Sequence, residues 1–127
     1  MSELRKHIRY RTLAKAKIKG ILEGESLLKD ISVTGCRVEC TSYAGIKPNM
    51  RYKIVILPEE SAEIDMFELL VETTWIRSEG YSCDIGFLIV DSPGKKQFRR
   101  YVDYLAWRYA QGNSITGGNS PETPPEP

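Results

Sequence analysis

Two arginines near the amino terminus have the chemistry and the spacing to hold a phosphorylated ligand. Arg5 and Arg9 are separated by three residues, and in an extended chain their α-carbons would stand roughly 13 Å apart. An arginine guanidinium is a rigid fork that matches phosphate oxygens and also the O6/N7 edge of guanine, whereas lysine supplies charge without that planar match. The pair therefore predicts binding of a ligand that has two well-separated anionic or purine-like parts.

A second polar group is the sequence DISVTG, which begins at Asp30. An ionised aspartate only accepts hydrogen bonds, which suits a ligand edge with paired N–H donors, such as N1–H and N2–H of guanine. Ser32 adds a short hydroxyl, and Gly35 permits a positive φ or a close backbone approach. The alternative interpretation is a hairpin turn in which Asp30 and Ser32 bond to their own backbone.

Charge is unevenly distributed along the 127 residues. The formal net charge is +1, yet residues 1–20 carry +6, residues 21–92 carry −7, residues 93–112 carry +4, and the remainder carries −2. A basic amino-terminal region on an acidic body favours an anionic ligand at that region. The small total argues against general nucleic-acid binding.

Catalytic, metal and disulfide chemistry find little support in the sequence. The single histidine, His7, lies among basic residues, and neither a P-loop nor a GxGxxG fingerprint is present. The three cysteines lack metal-ligand spacing, and their odd number argues against a disulfide framework. We therefore expect no enzyme, no metal and no cofactor, and we interpret the cysteines as small core or surface residues.

The elements that must position these residues are short strands followed by one helix. Alternating apolar and polar residues separated by turn signals predict six strands, at residues 12–22, 26–31, 36–41, 50–57, 67–77 and 81–91. Their spacing, with no helical pattern between them, predicts a small antiparallel barrel, so the fold class is all-β with one C-terminal helix.

The helix is predicted from residues that typically begin and end a helix and from a stripe of apolar residues along one side. Ser92 can cap it, Pro93 suits its first turn, and Gly112 would end it. The stripe consists of Phe98, Val102, Leu105 and Tyr109, widened by Tyr101, Tyr104 and Trp107. Packing against the barrel is the simpler interpretation, and a dimer seam is the alternative.

Three regions follow from these patterns. Residues 1–11 are predicted to be a flexible basic arm, residues 12–112 the barrel with its helix, and residues 113–127 a disordered tail rich in glycine and proline. The amino terminus lacks the apolar stretch of a signal peptide, and no apolar run is long enough to span a membrane. The expected location is cytoplasmic.

Taken together, the motifs resemble the PilZ domain family. RxxxR at Arg5 is followed by DxSxxG at Asp30 and by DIGFLIVDSPGKKQF, a last strand leading into a helix, so the resemblance covers roughly residues 4–110. It implies a bacterial cyclic di-GMP receptor folded as a six-stranded β-barrel with a C-terminal helix. Arg5 and Arg9 would grip guanine edges and phosphates, Asp30 and Ser32 would hydrogen-bond a guanine, and Gly35 would keep the turn tight.

Three further residues are possible additions to such a site. Lys6 and Arg11 would add positive charge, and Trp75 could offer a stacking face for a base. A core tryptophan is the simpler interpretation of Trp75. Leu4 stands where a basic residue would favour a stacked ligand pair, so a single bound molecule is expected.

The resemblance also implies a mechanism. A mobile arm would be drawn onto the barrel by the anionic ligand, and an unidentified downstream protein would respond to the changed surface. The outputs that the family permits include motility, biofilm formation, polysaccharide synthesis and virulence. Two alternatives stay open, namely a PilZ-like protein-interaction module that binds no ligand, and a β-barrel that binds single-stranded nucleic acid.

Overall fold

Seven strands and one long helix make up the computed structural model of this chain, which describes residues 8–20, 26–40, 45–80 and 82–116, with the side chains of 79 and 112–116 excepted. The strands are β1 (Tyr10–Arg11), β2 (Lys15–Ile18), β3 (Ser26–Ile31), β4 (Gly35–Cys40), β5 (Arg51–Leu57), β6 (Phe67–Glu79) and β7 (Ser82–Asp91). A 3₁₀ turn covers Glu60–Ala62, and the helix α1 covers Lys95–Thr116.

Six of the described strands close into an antiparallel barrel. Their order is β3-β2-β5-β6-β7-β4, and the pairing of β4 with β3 completes the ring. β1 lies beside β3 at the same edge as β2, so that β1 and β2 are two parts of one interrupted strand. The predicted fold class, a six-stranded antiparallel barrel with a C-terminal helix, is confirmed.

Alternation between the two faces of each strand builds the core. In β2 the alanine and isoleucine side chains are buried and the lysines are exposed, as the period of two predicts. Every barrel strand contributes buried apolar side chains, among them Ile18, Leu28, Val38, Ile54, Val71 and Ile85. The cysteines Cys36, Cys40 and Cys83 are also buried in this core.

The helix closes the end of the barrel where β6 begins. Tyr101 and Leu105 are fully buried, and the Tyr101 ring lies 5.9 Å from that of Phe67. Packing against the barrel is therefore confirmed for the centre of the stripe. Trp107, which the sequence placed at the stripe's margin, is exposed instead. No helix among the described residues is long and apolar enough to cross a membrane.

Both predicted ends of the helix are wrong. Ser92 does not cap it, because its hydroxyl donates to the backbone oxygen of Glu68, and the first helical turn is closed by Phe98 N–H donating to Gly94 O. Gly112 lies inside the helix, which continues to Thr116. A helical glycine costs only about 1 kcal/mol relative to alanine, so it ends a helix only where the chain turns away.

The predicted boundaries of the arm and tail change accordingly. Tyr10 and Arg11 belong to β1, and the Tyr10 ring makes an edge contact with Tyr109 of α1 at 5.8 Å, so the arm does not extend to residue 11. The first four residues assigned to the tail, 113–116, are helical. Residues 1–7 and 117–127 lie outside the described part of the chain.

Candidate ligand-binding site

A bulge in β3 places Asp30 on the outside of the barrel. Leu28 and Ile31 both face the core, although residues three apart in a regular strand face opposite sides. The register between β3 and β4 shifts between Leu28 and Asp30, which leaves Lys29 as the extra residue. Asp30 thereby lies opposite Arg37 of β4, outside the core.

Two arginines flank the Asp30 carboxylate. Arg37 Nη2 lies 3.1 Å from Oδ2, and Arg9 Nη1 lies 3.6 Å from Oδ1, which is beyond hydrogen-bond length. Asp30 is nevertheless only 8% exposed. Asp30 Oδ1 and Arg37 Nε are buried and have no hydrogen-bond partner among the described residues. One carboxylate oxygen and one guanidinium N–H thus keep unsatisfied hydrogen-bonding capacity.

Burial dominates the electrostatics of this carboxylate. Desolvation raises the pKa of Asp30 above its ordinary value, while the charges of Arg37 and Arg9 oppose that rise. Burying the ionised carboxylate is therefore unfavourable for folding, and the two arginines offset part of that cost. An ionised carboxylate in this position is a strong hydrogen-bond acceptor for paired N–H donors.

The hydroxyl of Ser32 closes the turn between β3 and β4. Ser32 Oγ accepts hydrogen bonds from the backbone N–H groups of Thr34 and Gly35, each at 3.1 Å, and Ser32 is 2% exposed. Its own N–H donates to Gly35 O at 2.8 Å. For Ser32 the structure therefore contains the turn-closing bonds of the alternative interpretation, whereas Asp30 contacts arginines.

A row of directly paired residues extends from Asp30 across the outer surface. Arg11 pairs with Asp30, Asp30 with Arg37, Arg37 with Gly86, and Gly86 with Trp75. Neighbouring strands lie about 4.8 Å apart, so Asp30 and Trp75 are separated by roughly 14 Å across the surface. The structure thus brings three of the predicted residues, together with Arg9, onto one face of the barrel.

Trp75 lies on this outer face and is not part of the core. It is half-buried, its indole covers Gly86 so closely that a Cβ there would overlap the ring, and the Arg77 guanidinium lies 5.5 Å from the ring centroid. The simpler sequence interpretation, a core tryptophan, is wrong. Because Gly86 has no side chain, there is space for the indole against the sheet.

At both Gly35 and Gly86 a neighbouring group lies too close for a Cβ atom, so alanine substitutions at the two positions can be compared. A Cβ at Gly35 would lie 2.9 Å from the backbone oxygen of Phe87, which cannot move without disturbing β7. We expect Gly35→Ala to lower the free energy of unfolding by about 1–3 kcal/mol, measured by denaturant unfolding. Gly86→Ala displaces only the Trp75 side chain, so it should cost less and shift the tryptophan fluorescence. Equal costs for the two variants would contradict this explanation.

Two predicted site residues, Arg5 and Lys6, lie outside the described residues. Arg37 and Gly86 were missed by the sequence analysis. Arg37 could have been found, since it comes two residues after Gly35 in the same strand and so faces the same side of the sheet. Gly86 gave no signal of its own, because only the position of the Trp75 ring explains it.

In fold, the chain is similar to the Bacillus subtilis inhibitor of motility (MotI/DgrA). The two structures superpose with a TM-score of 0.70 at 17% sequence identity, over 85% of this chain and 52% of the other. This chain thus spans about half the length of that protein. No family model matches the sequence, and no curated protein matches it. At this identity the likeness shows a shared fold and nothing finer.

Proposed function

We propose that this chain is a receptor for cyclic di-GMP and belongs to the PilZ domain family. The observation that carries the proposal is the buried Asp30 carboxylate, held on the outer barrel surface between Arg9 and Arg37 with one oxygen lacking a hydrogen-bond partner among the described residues. It lies within the DxSxxG sequence and contacts the second arginine of RxxxR. The shared fold with an inhibitor of motility is consistent with a non-enzymatic signalling role.

Guanine is the part of the ligand that Asp30 suits. The two carboxylate oxygens can accept N1–H and N2–H of one guanine together, which a neutral side chain cannot match in strength. The 3.6 Å contact with Arg9 is long enough for Arg9 to turn toward the guanine O6/N7 edge or a phosphate without breaking a hydrogen bond. Arg37 would keep its contact with Asp30 and orient the carboxylate.

Trp75 supplies a flat surface at the other end of the same row. Base stacking on an aromatic ring contributes about 1–3 kcal/mol, and the indole already lies in close contact with Gly86 on this face. The carboxylate at one end and the indole at the other would contact different parts of one extended dinucleotide.

Signalling would begin at the chain that precedes β1. Arg9 leads directly into β1, which is paired to β3 next to Asp30 and packed against α1 through Tyr10. A ligand that binds Arg9, and Arg5 before it, would fix this part of the chain on the barrel and create a new surface for a downstream protein.

Calorimetric titration tests the proposal directly. Cyclic di-GMP should bind, while GTP and a short single-stranded oligonucleotide should bind far more weakly, because neither presents two guanine bases attached to one cyclic sugar–phosphate backbone. A stronger interaction with the oligonucleotide would favour the nucleic-acid alternative instead.

A module that binds no ligand is the second candidate. It is favoured by the fact that Arg37 and Arg9 already balance the charge of Asp30 and that Ser32 Oγ is engaged within its turn. Absence of any heat with cyclic di-GMP would support this candidate and contradict the receptor.

The affinity for cyclic di-GMP should depend on pH through Asp30. Only the ionised carboxylate accepts both guanine N–H groups, and burial raises the pKa of Asp30 above 3.8. Affinity should therefore be full at neutral pH and fall as the pH falls through this raised pKa, by up to about tenfold per pH unit. Titrations from neutral to acidic pH in a His7→Gln background, which removes the one histidine of the sequence, should show this loss. Asp30→Asn should bind weakly at every pH.

A further inference from the structure

Trp107 is exposed on α1 in a way that neither the core nor the proposed ligand site explains. It is 59% exposed, and it is the one aromatic residue among the exposed large hydrophobic side chains of the described residues. It lies on the other side of the helix from Leu105, whose side chain is buried in the barrel. Tryptophan is the residue most enriched at the centres of protein interfaces.

A row of neighbouring aromatic rings holds this side of the helix in place. The Tyr104 ring lies 6.2 Å from that of Trp107 and 6.2 Å from that of Tyr101, which is fully buried. The Tyr104 hydroxyl lies 3.1 Å from Ser61 Oγ. Trp107 is thus attached through Tyr104 to the core and to the segment after β5, so little conformational entropy would be lost when a partner binds it.

The segment beside Tyr104 is acidic. Residues 58–65, called here the acidic segment, contain four acidic residues and no basic one. Glu59 is engaged by Arg108, whereas Glu60, Glu63 and Asp65 are exposed. On the helix, Asp103 lies one turn before Trp107. The nearest basic group is the Arg108 guanidinium, 5.8 Å from the centroid of the Tyr104 ring, and its charge is paired with Glu59, which leaves Arg100 as the next basic residue along this face. Negative charge therefore predominates around the aromatic surface.

We propose that Trp107, Tyr104 and the acidic segment form the docking surface for a partner protein that presents lysine or arginine side chains beside aliphatic residues. The indole face attracts a cation through its quadrupole and covers the aliphatic part of the same side chain. The carboxylates of Glu60 and Glu63 complement its charge. The inference rests on the proposed function, because it identifies where the downstream protein of such a receptor would bind.

One arginine connects this surface to the proposed ligand site. Arg108 Nη1 donates to Glu59 Oε2 at 2.7 Å, and its Nη2 donates to the backbone oxygen of Arg11 at 3.0 Å. Arg11 in β1 is the direct pairing partner of Asp30. A change at Asp30 that shifts β1 therefore acts on a guanidinium that also holds the acidic segment, which supplies a physical connection from ligand to partner.

A peptide titration tests the docking surface without knowledge of the partner. The probe is a short synthetic peptide of lysine and leucine, and its matched control has glutamate in place of lysine. In a Trp75→Phe background, Trp107 is the only tryptophan, so its fluorescence reports binding. We expect the lysine peptide alone to change the fluorescence and Glu60→Gln with Glu63→Gln to weaken binding at least fivefold.

Two variants complete this test. Calorimetry should show that Trp107→Ala lowers the affinity for the lysine peptide at least tenfold. Glu39→Gln with Asp84→Asn removes the same charge from the opposite end of the barrel and should leave binding unchanged. If Trp107→Ala binds as well as the parent protein, or if the distant pair of substitutions costs as much as the near pair, the docking surface is wrong.

A second titration tests the connection through Arg108. Cyclic di-GMP should change the affinity for the lysine peptide severalfold, and the peptide should change the affinity for cyclic di-GMP by the same factor. Arg108→Lys, which keeps the charge but cannot reach both oxygens, should abolish this mutual effect. If both ligands bind the parent protein independently, the connection is overturned. If cyclic di-GMP alone fails to bind, the receptor proposal fails while the peptide result still decides the docking surface.

Discussion

Asp30→Ala should lower the affinity for cyclic di-GMP at least tenfold, and Arg9→Ala should lower it by a similar factor. Each substitution removes a charge-assisted contact of about 1.5–3 kcal/mol. Asp30 is the stronger test, because its loss also leaves Arg37 beside the ligand without the acceptor that orients it. Calorimetric titration of the two variants against the parent protein measures both losses.

The control must separate lost binding from lost folding. Glu39→Gln removes one half-buried carboxylate from the same strand as Arg37 and, among the described residues, breaks the ion pair with Lys29, so it should bind as the parent does. Denaturant midpoints of all variants show whether each one is folded at the temperature of the titration. If the Asp30 and Arg9 variants are folded and bind like the parent protein, the site assignment is wrong.

The strands were predictable because the turn residues and the alternation of apolar and polar side chains indicate the same strand boundaries. β3 was predicted with both of its ends correct, and β5 and β6 were each predicted within two residues, because Gly, Pro and acidic residues surround runs that alternate apolar and polar side chains. The start of the first strand was not predictable. Residues 12–14 interrupt the strand through a hydrogen bond from Thr12 Oγ1 to Leu28 O, which depends on β3 being beside it.

Two of the predicted site residues do lie together, but the geometry around them was not predictable. The residue types of Arg9 and Asp30 indicated a guanine and phosphate ligand, and the structure places their side chains 3.6 Å apart. The bulge at Lys29, which places Asp30 outside the core, arises from pairing with β4 and leaves no local mark in the sequence. A core position was the simpler of two interpretations of Trp75, because hydrophobicity does not distinguish an indole inside a barrel from one lying over a glycine.

Tyr101 should be the residue of α1 on which stability depends most. Its side chain is completely buried between Phe67 and Tyr104, and its hydroxyl donates to Glu59 Oε1 at 2.6 Å. Tyr101→Ala should lower the free energy of unfolding by about 3–5 kcal/mol, because it leaves a large cavity where the helix closes the barrel. Denaturant unfolding at constant pH measures the loss as a lower midpoint with an unchanged slope.

Tyr101→Phe distinguishes the contribution of the ring to stability from that of the hydroxyl. It keeps the packing but removes one of the two donors to Glu59, whose carboxylate is 10% exposed and is otherwise bound by Arg108. The expected cost is about 1–3 kcal/mol, that of a buried charged acceptor losing one hydrogen bond. Val102→Ala, at a half-buried position one residue further along the helix, should cost less than Tyr101→Ala. If Tyr101→Phe is as destabilising as Tyr101→Ala, the helix is held by the bond to Glu59 and not by ring packing, and the aromatic row would no longer explain how Trp107 is supported.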